Sequence, residues 1–152
     1  MSGLKEWKIQ NDYGSPVVKV MLEELIERKI KLKKFEKYNR YSGYLTLIFI
    51  SILLIVCYIE FTQRLISSYQ SLLTSIINNS LFLFVLLLTG LSFIYVQYLN
   101  KKVTKAEKEY EELREELMNR SSELWEEDTQ WLARENVYHY MKAEHDINLY
   151  YK

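Results

Sequence analysis

The sequence predicts an all-α membrane protein: two transmembrane helices in an antiparallel hairpin, a cytoplasmic helical stalk and a C-terminal helix. Three observations carry this. Residues 41–59 and 81–99 are two runs of nineteen residues without a charged side chain, and a helix of about 20 apolar residues crosses the roughly 30 Å of bilayer hydrocarbon. No Asp, Glu, Lys or Arg stands between Leu65 and Asn100 although 26% of the chain is charged, so neither run has the polar stripe of a soluble amphipathic helix. The basic residues gather on the same side of both runs, the positive-inside pattern of a chain with both ends in the cytoplasm.

Taken in order, residues 1–15 read as a flexible N-terminus ending at Ser15-Pro16, a cap followed by proline in the first helical position. Residues 16–40 read as a cytoplasmic basic amphipathic helix, with Val18, Met21, Leu22, Leu25, Ile26, Leu32 and Phe35 on one broad stripe. Its second half, 28–40, holds seven basic residues against Glu36 alone. With no Pro or Gly before Gly43, it runs on into the first transmembrane helix, 41–59. A charge at mid-membrane costs about 2.5 to 3.5 kcal/mol, so Glu60 and Arg64 mark the far edge of that span. The run starts after forty residues, exceeds the roughly 7 to 15 residues of a signal-peptide core and has no small-residue cleavage site, so it reads as a retained anchor. Tyr38, Tyr41, Tyr44, Tyr95 and Tyr98 suit an inner aromatic belt, and Tyr58, Phe61 and Tyr69 an outer one.

Residues 60–80 form an outer amphipathic segment in which Phe61, Leu65, Tyr69, Leu72 and Ile76 recur every three or four positions. It either prolongs the first span or lies in the outer interface. Asn78, Asn79 and Ser80 turn the chain into the second transmembrane helix, 81–99. At equal depth Ser51 meets Thr89 and Gly90, and because small residues let helix backbones approach in lipid, these three are the expected span contact.

Residues 100–118 read as a cytoplasmic coiled-coil helix, with Val103, Ala106, Tyr110, Leu113 and Leu117 at alternating a and d positions. Residues 119–152 open on a break and cap at 119–122, then set Leu124, Trp131 and Tyr138 seven apart with Trp125 and Leu132 beside them, a C-terminal aromatic and acidic helix. Residues 28–40 total +6 and residues 107–128 total −7. Folded back antiparallel from the membrane, the two arms bring opposite charges together and bury both apolar stripes.

The chemistry these residues can perform is limited. His139 and His145 lie near Glu135, Glu144 and Asp146, but without HExxH order or a second ligand pair they read as surface histidines, and no metal is expected. Cys57 is the single cysteine, an apolar filler near the outer end of a span. Glu60 reads as the end of the span, paired with Arg64, rather than as an ion site. Glycine-rich phosphate loops, nucleophile elbows and CxxC pairs are absent. The reading is a protein that is not an enzyme and has no cofactor. Lys31, Lys33, Lys34, Lys37, Arg40, Lys101 and Lys102 lie where anionic lipid headgroups, rather than nucleic acid, would meet them.

The helix ending in a Lys/Arg cluster, the two spans with a modest outer segment and the Glu/Lys-rich tail together resemble the YpbF-like small membrane proteins of spore-forming Gram-positive bacteria. The resemblance implies the same layout in the cell membrane; that family has no assigned activity, so it implies no functional residues. From the residues themselves, the expected role is a membrane-anchored interaction or scaffold protein, multi-pass with both termini cytoplasmic. Its partner protein would be held at Trp125, Trp131, Leu132 and Tyr138, large side chains that need a surface to cover them. Homo-oligomers stay open. The alternative is a small transporter or pore subunit, for which the spans offer Thr46, Ser51, Thr89, Ser92 and Asn100 and no charge.

Overall fold

The computed structural model describes residues 16–63, 78–125 and 128–150, with the side chains of 63, 128–130, 132 and 133 left aside. The expected flexible N-terminus and residues 64–77 of the expected outer segment lie outside this description. Among the described residues all regular structure is α-helical: α1 (Pro16–Gln63), α2 (Ser80–Asn119), the single turn α3 (Ser121–Leu124) and α4 (Asp128–His145). Two compact units divide the chain, one of Met1–Lys34 with Thr104–Lys152 and the other of Phe35–Val103, so α1 and α2 each supply residues to both.

In the second unit the helices meet through polar side chains in an apolar setting. Asn39 Nδ2 donates to Asn100 Oδ1 at 2.7 Å, and the Thr46 and Ser92 hydroxyls lie 2.6 Å apart. Because the Thr46 proton goes to the Ser42 carbonyl at 2.9 Å, Ser92 is the donor to Thr46 Oγ1, since each hydroxyl has one proton to give. Asn79 Nδ2 donates to Glu60 at 2.6 Å, while Asn79 Oδ1 accepts from the backbone of Leu81 and Phe82. Asn79 is therefore the N-cap of α2, satisfying donors that a helix start leaves orphaned. Residue numbers rise on one helix as they fall on the other. Ser42, Thr46 and Ser92 are buried, whereas Leu47, Leu54, Ile55, Phe84, Leu87 and Ile94 are exposed. Both helices are long and apolar enough to cross a membrane, and their most apolar windows are only 6% and 11% buried. Core helices of a soluble protein pass the same length test, but they are mostly buried.

The expected contact of Ser51 with Thr89 and Gly90 is not where the structure puts the helices together. Ser51 is exposed and donates to Leu47 of its own helix, Thr89 likewise donates to Val85, and a side chain added at Gly90 would meet nothing within 4 Å. The reason is rotation: five residues beyond Thr46, Ser51 has turned about 140° round a helix of 3.6 residues per turn.

The first unit inverts this pattern. Val18, Leu22, Leu25 and Ile26 of α1 are buried, as are Ala106, Tyr110, Leu113 and Leu117 of α2 and Val137, Tyr138 and Met141 of α4. The charges flank this core. The Arg28 guanidinium donates to the Glu109 carbonyl, Lys31 pairs with the Glu109 carboxylate at 3.0 Å, and the Lys29 ammonium sits 4.8 Å from the Tyr110 ring centre. The hydrogen bond from Lys31 holds the Glu109 carboxyl below its ordinary range, and burial pushes the Tyr110 hydroxyl up.

The break expected at 119–122 is present, and the helical chain beyond it comes as the turn α3 and the helix α4. α2 stops at Asn119, and Arg120 straddles the break, its guanidinium held by Glu116 at 2.9 Å and Glu123 at 3.1 Å. α4 ends at His145 because Asp146 takes a left-handed φ of 58°, and the Ile147 amide donates back to the Met141 carbonyl at 3.0 Å. An αL residue just past a helix is a common terminator, and aspartate tolerates it better than most. The tail then turns inward, with Ile147 and Leu149 buried. Arg114 fixes it by donating from Nε to the Asn148 carbonyl at 2.7 Å while pairing with Glu111.

Candidate functional site

Trp131, Arg134, Glu135 and Tyr138 stand at i, i+3, i+4 and i+7 of α4, the spacing that aligns side chains on one helical face. That face, with Met118, Ser121, Leu149 and Tyr150, lines a cleft of about 480 Å³ in the first unit. The Arg134 guanidinium carbon lies 3.7 Å over the Trp131 ring and 5.5 Å from that of Tyr138. Tyr138 is set edge-on to Trp125 at 5.9 Å and to Tyr150 at 5.4 Å between ring centres. The Tyr150 hydroxyl donates to the Glu135 carbonyl at 3.3 Å and its amide to Asn148 Oδ1 at 3.0 Å. The cleft therefore has a rigid aromatic floor, a cation stacked on it and the clamped tail as one wall.

Burial raises the Tyr138 hydroxyl above its ordinary pKa, with Arg134 opposing the shift, so it stays a neutral donor across the physiological range. Arg134 makes no ion pair among the described residues. A guanidinium whose face is taken by an aromatic ring still presents its planar donor edge, the geometry that grips carboxylates. Among the described residues there is no cluster of three His, Cys, Asp or Glu suited to a metal.

Of the expected partner-binding residues, the structure exposes one. Trp131 is 43% exposed, but Trp125 at 1% and Tyr138 at 6% are core residues, and the Leu132 side chain lies outside the description. The large aromatics did need cover, and the unit's own helices and tail supply it. Arg134, Ser121 and Tyr150 were not foreseen; the signal for Arg134 was its spacing of three from Trp131 and four from Tyr138.

The expected lipid-facing bases also divide. Lys31 is engaged by Glu109 and Lys33 by Asp146 at 3.3 Å, so both are spent within the first unit. Lys102 lies 5.4 Å from the Tyr98 ring centre. Lys34, Lys37, Arg40 and Lys101 are exposed. His139 is exposed; His145 is half-buried, its Nε2 without a hydrogen-bond partner among the described residues. Desolvation lowers the His145 pKa, Glu144 opposing and Lys33 assisting.

Comparison with known proteins agrees with the resemblance read from the layout. The family described as "Protein of unknown function (DUF2663)" matches residues 21–152. The chain is similar to the "Uncharacterized protein YpbF" of Bacillus subtilis (strain 168), 30% identical over 146 residues that cover 96% of each chain. No solved structure matches it.

Proposed function

The chain belongs to the DUF2663 family, and from that premise we propose that it is an integral membrane protein acting as an interaction or scaffold protein through its cytoplasmic helices. Residues 41–59 and 81–99 are the spans, antiparallel, with both termini in the cytoplasm. The seven-to-one basic excess of 28–40 and the four lysines among residues 101–108 support that orientation. Lys34, Lys37, Arg40, Lys101 and Lys102 then meet anionic headgroups.

The observation that carries the interaction role is the Trp131–Arg134–Tyr138 face, which lines an open cleft in a unit with a core of its own. Trp, Tyr and Arg are the residue types that dominate binding energy at protein interfaces, and the stacked guanidinium favours a partner offering a carboxylate. A transporter would need polar groups facing each other along the spans. Thr46 with Ser92 is one uncharged pair, accounted for by helix packing.

A photo-crosslinking amino acid at Trp131, in membranes from otherwise normal cells, tests this. The proposal expects one protein captured at 131, lost on Arg134→Glu, and none captured from the same group at Leu54. Equal capture patterns at 131 and 54, or capture indifferent to Arg134→Glu, would remove the cleft from the account. Impermeant cysteine labelling of intact cells, with Cys57→Ser, should modify Ser71→Cys and spare Ser2→Cys and Lys152→Cys.

A further inference from the structure

The second unit holds a feature that the interaction role does not use. Between α1 and α2 runs an open groove of about 530 Å³, lined almost wholly by apolar surface, with Arg40 at one end. Gly43 lies in its lining with open space beside it, since a Cβ there would meet nothing within 4 Å. Leu47 and Ile50 continue the groove along α1, and Phe93 and Val96 close it from α2. Arg40 is exposed and makes no ion pair among the described residues.

We propose that this groove is a discrete seat for one anionic phospholipid of the inner leaflet, its phosphate on Arg40 and one acyl chain lying over Gly43 towards Ile50. The inference rests on the membrane reading of residues 41–59 and adds a specific ligand to it. Two arguments select this occupant. The first is length: from residue 40 to residue 50 a helix rises about 15 Å, half of the roughly 30 Å hydrocarbon core, so the groove spans one leaflet, as a single acyl chain does. The second is charge: a cation stands at the interfacial end only, in the place of a headgroup, and beyond it the lining is apolar apart from Tyr44 and Thr46, whose hydroxyl is already bonded to Ser42 and Ser92. A helix of a second copy is the weaker fit. Close helix approach in lipid uses small residues four apart, and the position four beyond Gly43 is Leu47.

The test uses the full chain purified in mild detergent, with native mass spectrometry counting retained lipid when phosphatidylglycerol or phosphatidylcholine of identical acyl chains is supplied. One phosphatidylglycerol per chain is expected. Arg40→Gln should lower its apparent affinity about fivefold, the worth of one basic residue at an anionic surface. Gly43→Phe should lower it at least as much, with a circular dichroism spectrum matching that of the parent protein to show that the variant folds. Lys108→Gln and Leu54→Phe, which remove a charge and add bulk elsewhere, should change it less than twofold. Phosphatidylcholine retained as strongly as phosphatidylglycerol, or retention indifferent to Gly43→Phe, would overturn the seat. So would a dimer that Gly43→Phe dissolves, which gives the groove to a second copy. A chain that stays soluble without detergent would fail the membrane reading itself, an outcome separate from these.

Discussion

The two units use the same kinds of residue in opposite ways. In the first, Leu22, Leu25, Trp125 and Met141 are sealed inside and the charges lie around them; in the second, Ser42, Thr46 and Ser92 are inside with Val85 and Leu99, while Leu54, Leu87 and Ile94 face out. A chain that is 49% hydrophobic can fold either way, and the solvent decides which face must hide. Water drives apolar surface inward at about 25 cal/mol per Å². Lipid gives no such drive, so helices there associate through packing and hydrogen bonds. The sealed core of the first unit suits water, and the exposed apolar faces of the second fit the lipid setting proposed for it.

Truncation at equivalent side chains should separate the units most sharply. Leu25→Ala removes a side chain with no exposed surface and should destabilise the first unit by about 2 to 5 kcal/mol, read as earlier tryptic cleavage after Arg114 and Arg120. Leu54→Ala, at a position 63% exposed, should change folding stability by less than about 0.5 kcal/mol. Equal losses would erase the distinction.

The next effect is at the tail. Arg114→Ala leaves the Asn148 carbonyl without its guanidinium donor, a loss of about 1 to 3 kcal/mol for a partly buried polar group. Faster carboxypeptidase trimming back past Leu149 would register it; an unchanged rate would mean that burial of Ile147 and Leu149 alone holds the tail.

In the second unit, Thr46→Val deletes the acceptor of the Ser92 hydroxyl. Side-chain hydrogen bonds between membrane helices average about 0.6 kcal/mol and reach about 1.7, so reversible unfolding in detergent should shift by that much. A shift near 3 kcal/mol would favour a buried soluble-like environment.

The smallest effect is with pH. His145 has a lowered pKa in the fold, so on acidification the unfolded chain takes up the proton first. The first unit should therefore lose stability as pH falls from about 7 towards the lowered value, below which the loss levels off. His145→Asn should flatten the melting-temperature profile over that window; if it does not, the imidazole is not the titrating group.

What the sequence made legible followed from long patterns. The charge-free runs announced two helices able to cross a membrane, and the stripe of Val18, Leu22, Leu25 and Ile26 anticipated the buried face of α1. What it hid were events of one residue. The φ of 58° at Asp146 ends α4 and turns the tail back, yet nothing in the word "EHDINLYY" requires an inward turn; it depends on Arg114, 34 residues away in the chain. Rotation about a helix axis was hidden too, which is why Thr46 and Ser92 meet while Ser51 faces out. Trp125 and Trp131 look alike in the sequence, and only the packing of the first unit makes one a core residue, edge-on to Tyr138, and leaves the other lining the cleft.

The central claim is that one unit faces lipid and the other water, and collision accessibility of spin labels in liposomes tests it directly. With Cys57→Ser as background, labels at Ile52→Cys and Leu87→Cys should relax with oxygen and be shielded from a water-soluble nickel chelate. Labels at Glu112→Cys and Lys142→Cys should behave in the opposite way. Nickel reaching residues 52 and 87 as freely as residue 112 would contradict the account.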